Sequence, residues 1–143
     1  MKDVLISIQA AQSQADSQEE NLEFITQGTY CYDHATTTFS YMESEMTGLE
    51  GTKTIFQIEG AAIHLIREGA FQSHMVFQLG KKHTFLYETP YGATAMGVST
   101  RHIQHNLDTN GGYLEIDYTI DLDGVMLSDS QFRIGITPQN SKA

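Results

Sequence analysis

The sequence has little cysteine, few basic residues and no long apolar run. Among its 143 residues the only cysteine is Cys31, so no disulfide can form within the chain. No apolar stretch approaches the roughly 20 residues of a transmembrane helix. Lysine and arginine total 8 against 18 aspartates and glutamates, giving a net charge of -10. This charge disfavours nucleic acid and anionic membranes as partners.

The start of the chain does not look like a secretory signal, because polar residues interrupt the short apolar stretch at 4–8. Together with the single cysteine, this predicts a cytoplasmic protein. Cys31 and His34 are close enough in sequence to suggest a nucleophile and its base, but no third residue to orient them is evident. We therefore interpret Cys31 as a buried strand residue and Asp33-His34 as a turn.

The length predicts a single domain over residues 1–143, with a polar tail at 138–143. A chain of this mass buries about two thirds of its surface on folding, which is enough for a core without disulfides or metal. Hydrophobic residues make up 40% of the sequence, so disorder is not expected.

Apolar and polar residues alternate along most of the chain, which is typical of half-buried strands. Turn residues interrupt this alternation often enough to predict about ten strands. One expected strand runs from Phe39 to Glu45. The polar segment 11–20 has no apolar stripe and is predicted to be a loop.

Turn residues and one bulge indicate the local geometry. Gly69 marks a hairpin because glycine adopts the positive φ that a tight turn needs, and Asn110-Gly111 is a strong hairpin signal. Asp123-Gly124 is a further turn. The apolar parity changes between Thr100 and Ile103, which predicts a β-bulge near Arg101.

Sequential strands joined by short turns favour an all-β, closed antiparallel up-and-down barrel of about eight to ten strands. Closure removes the exposed edges that an open sheet of this length would have. A two-layer sandwich would produce a similar pattern and remains the alternative architecture.

Several short motifs follow one another in order along the central part of the chain, over residues 39–120. They are Gly48-Leu49-Glu50-Gly51-Thr52-Lys53-Thr54, Arg67-Glu68-Gly69, Met75-Val76-Phe77 with Gly80, Thr89-Pro90-Tyr91-Gly92, Thr100, and Gly111-Gly112 followed by Leu114, Ile116 and Tyr118. Together these motifs resemble one family, the YwiB-like uncharacterised bacterial β-barrel proteins, a domain of unknown function. The resemblance implies a lipocalin-like or calycin-like barrel, but no ligand or activity.

The parity of the strands places aromatic and polar side chains together on the predicted inner face. Arg67 shares its parity with apolar residues, and Glu43 is the expected ion-pair partner of its guanidinium. Such a set either fills the barrel as plain core or lines a pocket for a small, partly apolar ligand. The candidate ligand-binding residues are Tyr41, Glu43, Arg67, Met75, Phe77 and Tyr87.

Catalytic and metal motifs have weaker support. Glu43 and Glu45 lie two residues apart on one predicted strand face, near the carboxylate spacing of inverting glycosidases, but paired acids more often face solvent or a basic partner. His64 and His74 would meet across a hairpin, yet two histidines do not complete a metal site. The sequence lacks a phosphate-binding loop and a Gly-x-Ser-x-Gly motif. We expect no catalytic residue, metal or cofactor.

Three functional hypotheses follow, of which an enzyme that uses Glu43, Arg67 or a histidine has the weakest support. The first is a non-catalytic barrel that binds a small-molecule ligand inside. The alternative is a structural or interaction protein with a packed barrel that acts through its surface, and a homodimer is one candidate assembly. The outward apolar residues Ile55, Ile66 and Val76 motivate this second hypothesis.

Overall fold

The computed structural model describes residues 2–14, 19–33 and 35–139. Within these ranges, no helix is long and apolar enough to cross a membrane. One 3-10 turn, Glu45–Thr47, follows the third strand. The strands are β1 (Lys2–Gln14), β2 (Glu19–Cys31), β3 (Thr37–Met42), β4 (Thr52–Glu59), β5 (Ala62–Gly69), β6 (Ser73–Gln78), β7 (Lys82–Thr89), β8 (Gly92–Asp108), β9 (Gly111–Leu122) and β10 (Val125–Pro138).

The strands form one antiparallel sheet in the order β6-β5-β4-β3-β2-β1-β10-β9-β8-β7. The first and last strands pair along most of their length, from Val4 opposite Pro138 to Gln14 opposite Ser128. The free edges are therefore β6 and β7, in the middle of the chain. Two isolated β-bridges, Gln72 with Glu88 and Leu79 with Thr100, connect the two sides of the gap between β6 and β7. The sheet is a nearly closed barrel, which confirms the predicted fold class.

Strand alternation directs every second side chain into the barrel. The register of β8 against β9 shifts between Thr100 and His102, so the predicted bulge near Arg101 is confirmed. Because the bulge adds one residue, Val98 and Thr100 on one side of it and Ile103 on the other all face inward.

Aromatic rings from opposite walls meet in the middle of the barrel. Phe39 and Phe56 stack with ring centroids 4.8 Å apart, and Phe56 meets Phe132 edge-on at 5.9 Å. Tyr118 continues the cluster, with its ring centroid 5.7 Å from that of Phe132 and 4.8 Å from that of Phe77. These rings form one packed aromatic cluster in the centre of the barrel.

Two predictions of local structure are wrong. In the segment 11–20, β1 continues to Gln14 and β2 already begins at Glu19, because main-chain pairing with β10 extends β1 without an apolar stripe. The predicted strand from Phe39 to Glu45 ends at Met42. Glu45 instead begins the exposed 3-10 turn, so Glu43 and Glu45 do not share a strand face.

Cys31 is the last residue of β2, but its side chain is exposed rather than buried. His34 lies outside the described residues, so the proposed closeness of Cys31 and His34 is not described. The same holds for residues 140–143 of the predicted polar tail.

Gly97 lies within β8, where a larger residue would be usual in a strand. An added Cβ would be 2.5 Å from Lys82 Cε and 2.9 Å from Asp121 Oδ1. Lys82 on β7 and Asp121 on β9 form an ion pair at 2.9 Å, and they reach each other across β8 at this glycine. Because Gly97 has no side chain, the Lys82 and Asp121 side chains can contact each other over β8 at this residue.

Removing the Phe56 ring tests the packed centre. Phe56 is fully buried between Phe39 and Phe132, so Phe56→Ala leaves a cavity and lowers the free energy of unfolding by about 3–5 kcal/mol in urea unfolding. The control Leu86→Ala changes a side chain that is 49% exposed, and we expect a change within about 0.5 kcal/mol. Equal effects of the two substitutions would contradict this description of the core.

Candidate ligand cavity in the barrel

A cavity of about 630 Å³ opens at the end of the barrel where β3 runs into β4 and β9 into β10. Its volume lies within the usual range for small-molecule pockets. Apolar and polar groups both contribute to the wall. The apolar members include Ile8, Leu22, Phe24 and Phe132, and the polar members include Tyr41, Glu43, Arg67, Tyr118 and Ser130.

Strand register places three polar side chains side by side. Tyr41 on β3 is opposite Thr54 on β4, and Thr54 is opposite Arg67 on β5. All three have inward parity. Two residues further from the opening, and so on the same inner face, these strands carry Phe39, Phe56 and Leu65, which are fully buried. The interior therefore changes from apolar in its depth to polar near this opening.

Glu43 is 7% exposed and follows the end of β3 directly. Its main-chain N–H donates to the Thr52 carbonyl at 2.8 Å, which keeps the chain in strand-like geometry for one more residue. The Thr54 hydroxyl donates to Glu43 Oε2 at 2.5 Å, and the Thr47 hydroxyl donates to Oε1 at 2.9 Å. Both carboxylate oxygens thus have hydroxyl partners.

Arg67 lies in the cavity wall, on the predicted face, but the predicted ion pair with Glu43 is absent. No nitrogen of Arg67 comes within 4.0 Å of a Glu43 carboxylate oxygen, because the hydroxyls of Thr47 and Thr54 hold the carboxylate instead. Arg67 Nε is buried and has no hydrogen-bond partner among the described residues. Leaving a buried donor unsatisfied costs about 1–3 kcal/mol.

Two tyrosines contribute neutral hydroxyls to the cavity. Burial raises the pKa of Tyr118 to about 12, and the nearby Arg67 partly opposes this shift. Burial, followed by the negative charge of Glu43, raises the pKa of Tyr41 well above its usual value of about 10. Both hydroxyls therefore keep their protons at neutral pH.

The predicted site residues divide into two groups. Tyr41, Glu43 and Arg67 lie together in the cavity wall. The other three do not line the cavity: Met75 and Phe77 belong to the buried core, and Tyr87 stacks on Phe71 with ring centroids 6.4 Å apart.

Several wall residues come from strands that are distant in the chain and were not among the predicted site residues. The most important are Phe24 on β2, Tyr118 on β9 and Phe132 on β10. Tyr118 belongs to a strict alternation with Leu114 and Ile116, which gives its inward face. The predicted closure implied a pairing of β1 with β10, but its register, which sets the residues that face β3, β4 and β5, had no signal in the sequence.

The two histidines predicted to meet do so on the outside of the barrel. His64 Nδ1 and His74 Nε2 are 2.8 Å apart, and partial burial together with His64 lowers the pKa of His74. Within the described ranges, no group of three or more histidine, cysteine or acidic side chains is placed to hold a metal ion.

The raised pKa of Tyr118 predicts a loss of stability in alkali. In the unfolded chain tyrosine ionises near pH 10, whereas Tyr118 in the folded protein keeps its proton to about pH 12. The unfolded state therefore holds fewer protons in this window, and the free energy of unfolding falls as the pH rises. We expect Tyr118→Phe to make this fall shallower, by up to about 1.4 kcal/mol per pH unit.

Urea unfolding between pH 9 and 12 measures this difference. The control is Tyr113→Phe, which removes a hydroxyl from the same strand at a residue 37% exposed, and we expect it to follow the parent protein. An unchanged pH profile for Tyr118→Phe would show that Tyr118 does not stay protonated in the folded state.

Comparison with known proteins places the chain in a family. Residues 6–134 match the sequence profile of a domain of unknown function, DUF1934. The uncharacterized β-barrel protein YwiB of Bacillus subtilis (strain 168) is 29% identical over 103 residues, which cover 72% of this chain and 71% of that protein. The crystal structure of the ywiB protein from Bacillus subtilis superposes with a TM-score of 0.85 at 22% identity, covering 97% of this chain and 93% of that one. The chain therefore belongs to the DUF1934 family of uncharacterised β-barrel proteins.

Proposed function

We propose that the protein binds a small, partly apolar molecule in the cavity at the end of the barrel. The observation that carries the proposal is the cavity of about 630 Å³, which joins an apolar surface to a few convergent polar groups. Ligand pockets commonly combine these two features, since the apolar surface supplies affinity and the polar groups fix orientation.

The depth of the cavity supports this proposal. Phe132 and Tyr118 stack with an interplanar angle of 28° and offer flat, rigid surface to a bound molecule. Phe24 approaches Tyr41 edge-on, with ring centroids 6.3 Å apart. Rings held in this way lose little further freedom when a ligand packs against them, which favours binding.

Binding without catalysis agrees best with the chemistry of the wall. Glu43 is the one buried acid among the described wall residues, and two threonine hydroxyls already engage its oxygens. The described part of the wall has no histidine or cysteine to act with it. General acid or base catalysis needs a group free to exchange its proton with a substrate.

A role as an interaction protein is the alternative function. Ile55 and Ile66 are opposite each other on the outer face of β4 and β5, and both are partly exposed, as is Val76 on β6. This outer patch would become the leading candidate site if the cavity bound nothing.

Filling the cavity tests the proposed function. Ala10 is in the cavity wall on β1, so Ala10→Trp should occupy the space that a ligand would use. We expect the neutral apolar dye Nile red to bind the parent protein and to lose at least about tenfold in affinity for the variant. A bound ligand at 100 times its dissociation constant adds about 2.7 kcal/mol of stability, which is about 5 °C or more in the unfolding midpoint.

The matched control is Ala95→Trp, which adds the same ring at an exposed residue of β8. It should bind the dye like the parent protein. The chain has no natural tryptophan, so each variant also carries one fluorophore that reports its own environment. Equal dye binding by both variants, or no binding by the parent protein, would contradict a ligand site in this cavity.

A further inference from the structure

The guanidinium of Arg67 has no acceptor within the described protein. None of its nitrogens takes part in a hydrogen bond or ion pair with a described residue, and Nε is buried. Arginine stays charged in proteins and has N–H donors in a planar fork. A half-buried guanidinium in this state needs an oxygen acceptor from outside the barrel wall.

The neighbouring strands do not supply that acceptor. On β4, the Thr54 hydroxyl opposite Arg67 donates to Glu43. On β6, Ser73 is opposite Arg67, and its buried hydroxyl has no partner among the described residues. Glu43 itself is held by Thr47 and Thr54. The wall thus separates its carboxylate from its guanidinium instead of pairing them.

The surroundings of Arg67 suit an anion of low charge. Tyr41 and Tyr118 are close enough for Arg67 to influence their ionisation, and both present neutral hydroxyls. Glu43 in the same wall and the net charge of -10 oppose a second negative charge on the ligand. A carboxylate has one negative charge and two oxygens, which match the fork of arginine, whereas a phosphate monoester carries close to two charges.

We propose that the cavity takes a monocarboxylate with an apolar body, with the carboxylate on Arg67 and the body against Phe24, Leu22 and Phe132. This inference rests on the proposed function and names the chemical class of its ligand. Arg67 supplies the charge, and the rings of the wall supply the apolar contact.

Four probes with the same eight-carbon tail separate the contributions of charge and tail. Isothermal titration of the parent protein at pH 7 compares octanoate, octanol, octylammonium and octyl phosphate. We expect octanoate to bind at least about tenfold more tightly than the other three, the usual scale of a charge-assisted pair. Arg67→Gln should remove this preference and bind octanoate and octanol equally. The control Arg101→Gln changes an arginine that is 48% exposed and paired with Asp129, and should keep the preference.

The outcomes separate this inference from the proposed function. If octanol, octylammonium or octyl phosphate binds as tightly as octanoate, or if Arg67→Gln keeps the preference for octanoate, the carboxylate assignment is wrong and the cavity is still a binding site. If no probe binds and Nile red also fails to bind, both proposals fail. The comparison of four probes on the parent protein decides the question even where Arg67→Gln unfolds.

Discussion

The structure depends on one geometric constraint: ten strands keep their pleats in phase around the barrel. The pairing of β1 with β10 keeps the inward and outward side chains aligned where the first and last strands meet. Within β8, the bulge between Thr100 and His102 brings the apolar residues on both sides of it to the inner face. A shift of one residue in any pair would exchange inner and outer faces. The aromatic centre and the polar opening exist because the phase holds across nearly the whole circumference.

Within that frame, the interior has two chemical parts. The centre is filled by rings from opposite walls, including Phe56, Phe132 and Tyr118. The end beside Glu43 and Arg67 is open and polar. Two threonine hydroxyls satisfy the carboxylate of Glu43, so the positive charge of Arg67 is not cancelled locally. The separation of the Glu43 carboxylate from the Arg67 guanidinium, more than the cavity itself, distinguishes this site from a packing defect at the end of a barrel.

Much of the fold could be predicted from the sequence because period-two alternation and turn residues are local signals. They gave about ten strands, the bulge near Arg101 and the inward face of Arg67. Long-range register left no such signal. The partners of Glu43 depend on Thr54 across a strand pair and on Thr47 in a 3-10 turn, so its pairing with Arg67 was predicted wrongly. The contributions of Phe24 and Phe132 depend on closure between β1 and β10.

Arg67 presents to the cavity a guanidinium that has no acceptor among the described residues, and we propose that a carboxylate binds there. A crystal structure with 4-bromobenzoate tests it directly, because the anomalous signal of bromine locates the ring independently of the carboxylate. We expect a bromine peak among the apolar wall residues, with both carboxylate oxygens on Arg67. A bromine peak confined to the outer surface, or an Arg67 guanidinium paired with Glu43, would contradict it.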